Sequence, residues 1–194
     1  QAKTLFPYTT LFRSHLDSHK EMSMSGLHVV GWLPRVAVGL CLALSLQACT
    51  PTAQQTLPDL PFTQIDGQQR KLSDLKGRVT LINFWATSCG TCIKEMPDLV
   101  ATHQMFHAKG FETLAIAMQY DPPAYVMQFV ESRKLPFIVA MDHTGELAQA
   151  FGPVQLTPTT LVVNKKGEIV KQYIGAPDFK ALQALLADLL AEPA

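Results

Sequence analysis

VTLINFWATSCGTC, residues 79–92, is the stretch that decides the fold. Residues 79–85 are almost continuously apolar, the mark of a strand covered on both faces. Cys89 and Cys92 follow, separated only by Gly90 and Thr91. Beyond them Ile93, Met96, Leu99 and Val100 recur at helical spacing, so a helix is predicted over residues 91–109, with Gly110 as its stop. Pro97 lies inside that helix and is expected to kink it. The order is therefore buried strand, C-x-x-C, helix.

Working outward, residues 61–65 and 69–72 predict two short strands joined at Asp66-Gly67, and residues 73–77 one capped turn. Downstream, strands are predicted over residues 111–118 and 137–141. A helix opening on Pro123 is predicted between them, and a short helix follows over residues 145–151. Residues 159–163 and 168–173 read as strands of a hairpin around Asn164-Lys165-Lys166-Gly167. Asp178 caps a last amphipathic helix whose inner face carries Phe179, Leu182, Leu185, Leu186 and Leu189. Strands alternating with helices predict an α/β domain with a mixed central sheet. No internal repeat or low-complexity tract interrupts it.

The placement of the cysteines carries the chemistry. Residues three apart in a first helical turn lie close enough for a disulfide, which needs Cα atoms about 4.4–6.8 Å apart. A helix N-terminus carries partial positive charge, which favours a thiolate on Cys89 and lowers its pKa from about 8.5 toward 7 or below. Cys89 is then the attacking sulfur and Cys92 the one that resolves the mixed disulfide. A purely structural bridge closing so short a loop would constrain the unfolded chain little. Glu95, three residues after Cys92, falls on the same helix face. Partial burial would raise its pKa and suit it to relay the proton that Cys92 must lose; a solvated helix glutamate is the alternative. Trp85 reads partly as core and partly as a cover beside the site, where it would contact substrate. His103 and His107 stand i, i+4 with no third ligand apparent, and are expected at the surface; no metal is expected.

Phe84-Trp85-Ala86-Thr87-Ser88-Cys89-Gly90-Thr91-Cys92 resembles the active-site segment of thioredoxin-like proteins, most nearly the TlpA/ResA branch of bacterial envelope reductases. The likeness runs from about Leu57 to the C-terminus. Glu95-Met96-Pro97 resembles the acidic segment of that branch. Thr157-Pro158-Thr159-Thr160 resembles the loop whose cis-proline faces the cysteines, and residues 110–151 resemble its added βα insertion. The resemblance implies a thioredoxin-like fold with an N-terminal β-hairpin, and a thiol–disulfide oxidoreductase that needs no cofactor beyond its redox-active Cys89–Cys92 disulfide. It also implies an extended substrate segment bound beside Thr157 and Pro158, as in strand addition. Three positions depart from, or vary within, the wider pattern. Ser88 stands where many relatives are aromatic, and Thr91 where many have proline. Asn83 replaces the buried aspartate of plain thioredoxins, as it tends to in the TlpA/ResA branch.

Of the four cysteines, Cys41 and Cys49 fall in an N-terminal segment that reads as processing signal. Residues 4–14, TLFPYTTLFRS, match the in-frame translation of a common DNA sequencing adapter, so residues 1–21 are expected to be non-native, with a start at Met22 or Met24. Arg35 then precedes the apolar run VAVGLCLALSL, residues 36–46, which at 11 residues is shorter than the ~20 a spanning helix needs. Leu46-Gln47-Ala48-Cys49 resembles a bacterial lipobox. Residues 22–48 are accordingly expected to be a signal peptide, Cys49 the lipidated residue, residues 49–57 a tether, and residues 58–194 the domain.

Sixteen basic residues balance sixteen acidic ones, and residues 50–194 hold 12 basic against 14 acidic. A nucleic-acid partner is not expected, and membrane contact would come through the lipid. The expected function is reduction of disulfides in envelope proteins, for example in cytochrome c or metal-site maturation, by a periplasm-facing, membrane-anchored monomer. A membrane donor of the DsbD type would supply electrons. Gly90-Thr91 lacks the histidine that helps make DsbA, near −120 mV, so much more oxidising than thioredoxin, near −270 mV. A peroxiredoxin-like peroxidase and a non-enzymatic copper chaperone on the same scaffold are the alternatives. Cys92 argues against the first, and the short cysteine spacing against the second.

Overall fold

The structure is a computed structural model of the 194-residue chain, and it describes residues 55–193. The expected adapter-derived segment, signal peptide and lipidated Cys49 lie outside the described residues. Among the described residues no helix is long and apolar enough to cross a membrane.

Among the described residues, seven strands and four α-helices run in the order β1 (Pro61–Thr63), β2 (Gln69–Lys71), β3 (Val79–Trp85), α1 (Gly90–Phe106), β4 (Phe111–Ala117), α2 (Pro123–Arg133), β5 (Ile138–Met141), α3 (Glu146–Ala150), β6 (Thr159–Val163), β7 (Ile169–Ile174) and α4 (Phe179–Ala191). The central sheet has the order β5-β4-β3-β6-β7. The β3–β4 and β4–β5 pairs are parallel; β3–β6 and β6–β7 are antiparallel. This is the α/β thioredoxin-like architecture with a mixed sheet flanked by helices.

β3 sits in the middle, and all seven of its residues are buried. Its alternation divides the core. Val79, Leu81 and Trp85 face a cluster built with α1, α2 and α4, including Met96, Leu99, Val126, Leu182 and Leu186. Ile82 and Phe84 face the opposite layer, with Phe62, Leu72, Leu75, Leu147 and Phe151. Strand pleating alone produces this division.

β1 and β2 form the expected antiparallel hairpin, a separate two-stranded sheet. It covers the edge of β5, where the amide of Ile65 donates to the Val139 carbonyl at 2.9 Å. Residues 110–151 supply β4, α2, β5 and α3, and β5 stands at the edge of the parallel side of the sheet. Paired chain begins before residue 58. The Gln55 carbonyl accepts from Ile169, Thr56 bridges Glu168, and Leu57 is buried. The last residues assigned to the tether thus lie on the hairpin of β6 and β7.

α1 is shorter than predicted. A 3-10 turn over His107–Lys109 replaces its last turn, and Gly110, at φ 95°, ends it in a conformation that costs other residues more. α4 begins as expected, with the Asp178 carboxylate accepting from the amides of Lys180 and Ala181. Leu182, fully buried, locks α4 onto the sheet. Leu182→Ala is expected to cost about 2–5 kcal/mol in chemical denaturation. Exposed Lys180→Ala should change stability by less than about 0.5 kcal/mol.

Candidate active site

The site lies where β3 ends and α1 begins. Cys89 and Cys92 form a disulfide with Cα atoms 5.2 Å apart. Cys89 is the N-cap of α1: its backbone is extended and its Sγ accepts from the Cys92 amide at 3.2 Å. An N-cap needs an acceptor for an amide that has no partner within the helix, and here sulfur plays that part. Cys89 is partly exposed, whereas Cys92 is fully buried. One sulfur is therefore open to a partner, and the other is sealed one turn deeper.

The loop before Cys89 is pinned from the next strand. The Asp121 carboxylate, on the loop after β4, accepts from the Thr87 amide at 2.6 Å and from the Thr87 hydroxyl. Asp121 is itself buried. β3 and β4 are parallel, so both loops leave the same edge of the sheet and can be tied there. Sequence reasoning missed Asp121. It lies 34 residues from Thr87, and only the strand pairing makes them neighbours.

Glu95 is buried, as anticipated, one turn into α1 from Cys92. Its Oε1 accepts from Asn83 Nδ2 at 3.0 Å, and the same amide group donates to Thr160 Oγ1 at 2.9 Å. Asn83 and Thr160 are register partners on β3 and β6, so the network crosses the sheet directly beneath α1. Glu95 Oε2 and Asn83 Oδ1 have no partner among the described residues. Burial pushes the Glu95 carboxyl up to about 7; Asp98 adds to the rise, and the Asn83 hydrogen bond opposes it. A carboxyl titrating there can hold or accept a proton at neutral pH.

The Thr157–Pro158 peptide bond is cis. Pro158 precedes β6, the strand beside β3, and the Pro158 carbonyl accepts from Gly175. The hydroxyls of Thr157 and Tyr120 stand 3.4 Å apart. Tyr120 and Leu156 are both more than half exposed. They add an aromatic and an aliphatic surface on either side of Thr157 that sequence reasoning did not single out.

Two expectations need correction. Trp85 was read partly as a cover and substrate contact, but it is fully buried and its ring packs on Phe129 with centroids 5.2 Å apart. The α2 insertion covers the side chain that would otherwise reach solvent. His103 was expected at the surface but is 4% exposed, among Thr113, Phe111 and Phe137. Its burial disfavours the charged imidazolium and lowers its pKa.

A helix-capping, half-open cysteine bonded to a sealed partner, on a thioredoxin-like sheet, defines the class of thiol–disulfide oxidoreductases. Comparison with known proteins agrees. The Redoxin family model matches residues 52–186, and the chain belongs to that family. The thiol-disulfide oxidoreductase ResA of Bacillus thuringiensis subsp. konkukian is 32% identical over 129 residues, covering 66% of this chain and 73% of the relative. The solution structure of a protein from Neisseria meningitidis described as a thioredoxin is 40% identical, with a TM-score of 0.66 over 70% of this chain and 90% of that one. The crystal structure of StoA from Bacillus subtilis is 26% identical, with a TM-score of 0.56 over 66% of this chain and 98% of that one. The chain is accordingly a ResA-like thiol–disulfide oxidoreductase.

The raised carboxyl and the pinned loop each lead to a measurement. The Glu95 pKa is higher in the folded protein than in the unfolded chain, so the folded state holds the extra proton. Stability from this group is full below about pH 4.5 and is lost as pH rises through about 7. Glu95→Gln should flatten that part of the stability–pH curve, and should exceed the parent at pH 8 by on the order of 2–3 kcal/mol. Asp121→Ala is expected to cost about 1–3 kcal/mol and to strip hydrogen-exchange protection from the Thr87 amide.

Proposed function

We propose that this protein reduces disulfides in proteins of a bacterial envelope, and that its direction of work is set by electrons arriving from a membrane donor of the DsbD type. The observation that carries the reading is the asymmetry of the sulfur pair, with Cys89 open at a helix N-terminus and Cys92 sealed beneath it.

The Cys89 thiolate attacks one sulfur of the substrate disulfide. That bond breaks, a Cys89–substrate disulfide forms, and the released thiolate takes a proton. Cys92 then loses its proton and attacks Cys89 Sγ, freeing the reduced substrate and leaving the Cys89–Cys92 disulfide. Two electrons pass to the substrate in each turnover, and the donor restores the dithiol. No cofactor beyond the cysteine pair takes part. Glu95 accepts the Cys92 proton in the second step, directly or through water; a carboxyl with a pKa of about 7 is ionised often enough to do so. The Thr157 backbone beside the cis bond pairs with an extended substrate segment, as in strand addition, while Tyr120 and Leu156 flank it.

The clients by resemblance are apocytochrome c cysteines or a metal-site assembly factor. A lipid on Cys49, following a signal peptide over residues 22–48, would hold the domain at the periplasmic face of the membrane as a monomer. The peroxidase alternative is disfavoured because a peroxidatic cysteine of that class stands without a partner three residues on, whereas Cys89 bonds to Cys92.

Trapping tests this reading. Cys92→Ala should accumulate mixed disulfides through Cys89 in an envelope extract, and mass spectrometry should identify envelope proteins; an absence of Cys89 adducts would refute it. Glu95→Gln should leave the first attack unchanged and slow resolution by about 100-fold above pH 7. It should also erase the rise in resolution rate centred near pH 7. A profile identical to the parent's would remove Glu95 from the mechanism.

A further inference from the structure

The far end of α1 carries a second chemically capable group. His103 and His107 lie one helical turn apart, their rings stacked with centroids 4.5 Å apart. Glu112 meets them from β4. Its Oε1 is 3.9 Å from His103 Nδ1, and its Oε2 is 4.0 Å from His107 Nδ1. One ligand atom from each of the three residues lies within 4.8 Å of the others. His103 and Glu112 are buried, whereas the His107 side chain is 48% exposed. The cluster therefore has a fixed floor and an open entrance. His107 stands 15 positions beyond Cys92, about 22 Å along the helix axis.

We propose that His103, His107 and Glu112 form a binding site for a divalent late first-row transition metal of the zinc class, separate from the cysteine pair. Two imidazoles and a carboxylate are a donor set that suits zinc or copper. Magnesium and calcium prefer oxygen ligands alone. Three protein ligands leave a position for water. Metal–ligand bonds of about 2.0–2.2 Å place tetrahedral ligand atoms about 3.4 Å apart, so the cluster must close by about an ångström. His107, half exposed where α1 passes into its closing 3-10 turn, is the ligand placed to supply that movement.

The surrounding groups fit an outer shell. The Thr113 amide donates to Glu112 Oε1 at 3.0 Å, and Arg78 Nη1 lies 3.6 Å from Glu112 Oε2. Both orient the carboxylate, in the way that outer partners orient metal ligands. Arg78 is 40% exposed, so solvent screens its charge from an incoming cation. Thr113 Oγ1 and the Phe111 carbonyl each lie 3.2 Å from an imidazole Nδ1. These oxygens now share hydrogen bonds with the nitrogens that the metal would take. Metal binding at these nitrogens would replace both hydrogen bonds.

The test is zinc chloride titration of the full chain by calorimetry, with Cys89–Cys92 oxidised and the remaining thiols alkylated. One zinc ion should bind with micromolar or tighter affinity and raise the melting temperature. Cobalt(II) should give d–d bands without a thiolate charge-transfer band. His107→Ala removes an exposed side chain and should leave the fold intact. It should weaken zinc by more than the roughly 10–100-fold typical of outer-shell changes, and Glu112→Gln should do the same. Failure of the parent protein to bind zinc, or equal affinity in His107→Ala, would overturn the proposal. Neither result bears on disulfide exchange at Cys89.

Discussion

The hydrogen bond from the Cys92 amide to Cys89 Sγ joins fold and chemistry in one contact. It caps α1, so the helix could not begin here in the same way without an acceptor at residue 89. It also places the sulfur where the first turn's amides and the helix dipole stabilise negative charge. The group that starts the helix is the one proposed to attack. β3 brings the chain to this point, fully buried in the sheet centre, and the Asp121–Thr87 contact holds the intervening loop. The partly exposed sulfur thus rests on a strand buried along its whole length.

Beneath it lies a polar thread that an apolar core would ordinarily exclude. Asn83 gives both its amide bonds to side chains, one to Glu95 and one to Thr160. The network is not fully satisfied, since Glu95 Oε2 and the donor's own Asn83 Oδ1 stay unpaired among the described residues. Keeping such groups buried is costly, and the cost falls most heavily on the ionised carboxylate. That same penalty brings Glu95 into the neutral range, where it can exchange a proton with a thiol one turn away. The cost of burial and the proposed proton transfer have one physical source.

The insertion shapes what the site exposes. α2 brings Phe129 over Trp85 and turns a residue of the active-site segment into core. β5 widens the sheet, and the N-terminal hairpin then covers its edge. Tyr120, on the loop between β4 and α2, reaches the cis-proline loop. These elements thereby decide which side chains of the active-site segment become core.

Much of this was legible in the chain itself, because it depends on local period and spacing. The apolar run of β3, the turn at Asp66-Gly67 and the Asp178 cap each act within a few residues, and each stands where it was read. The two cysteines and Glu95 share one helix, so their order and relative depth follow from helical geometry. Other features depend on strand pairing across long separations. Asp121 reaches Thr87 only because β3 and β4 run parallel in register. His103 is buried only because β4 and the start of β5 close over the end of α1. Trp85 is hidden by an element 40 residues downstream, Phe129 on α2 lying 44 positions away. Periodicity reveals which face of an element is apolar. Which distant side chains cover that face, and which polar groups become trapped beneath it, is decided when the elements pack.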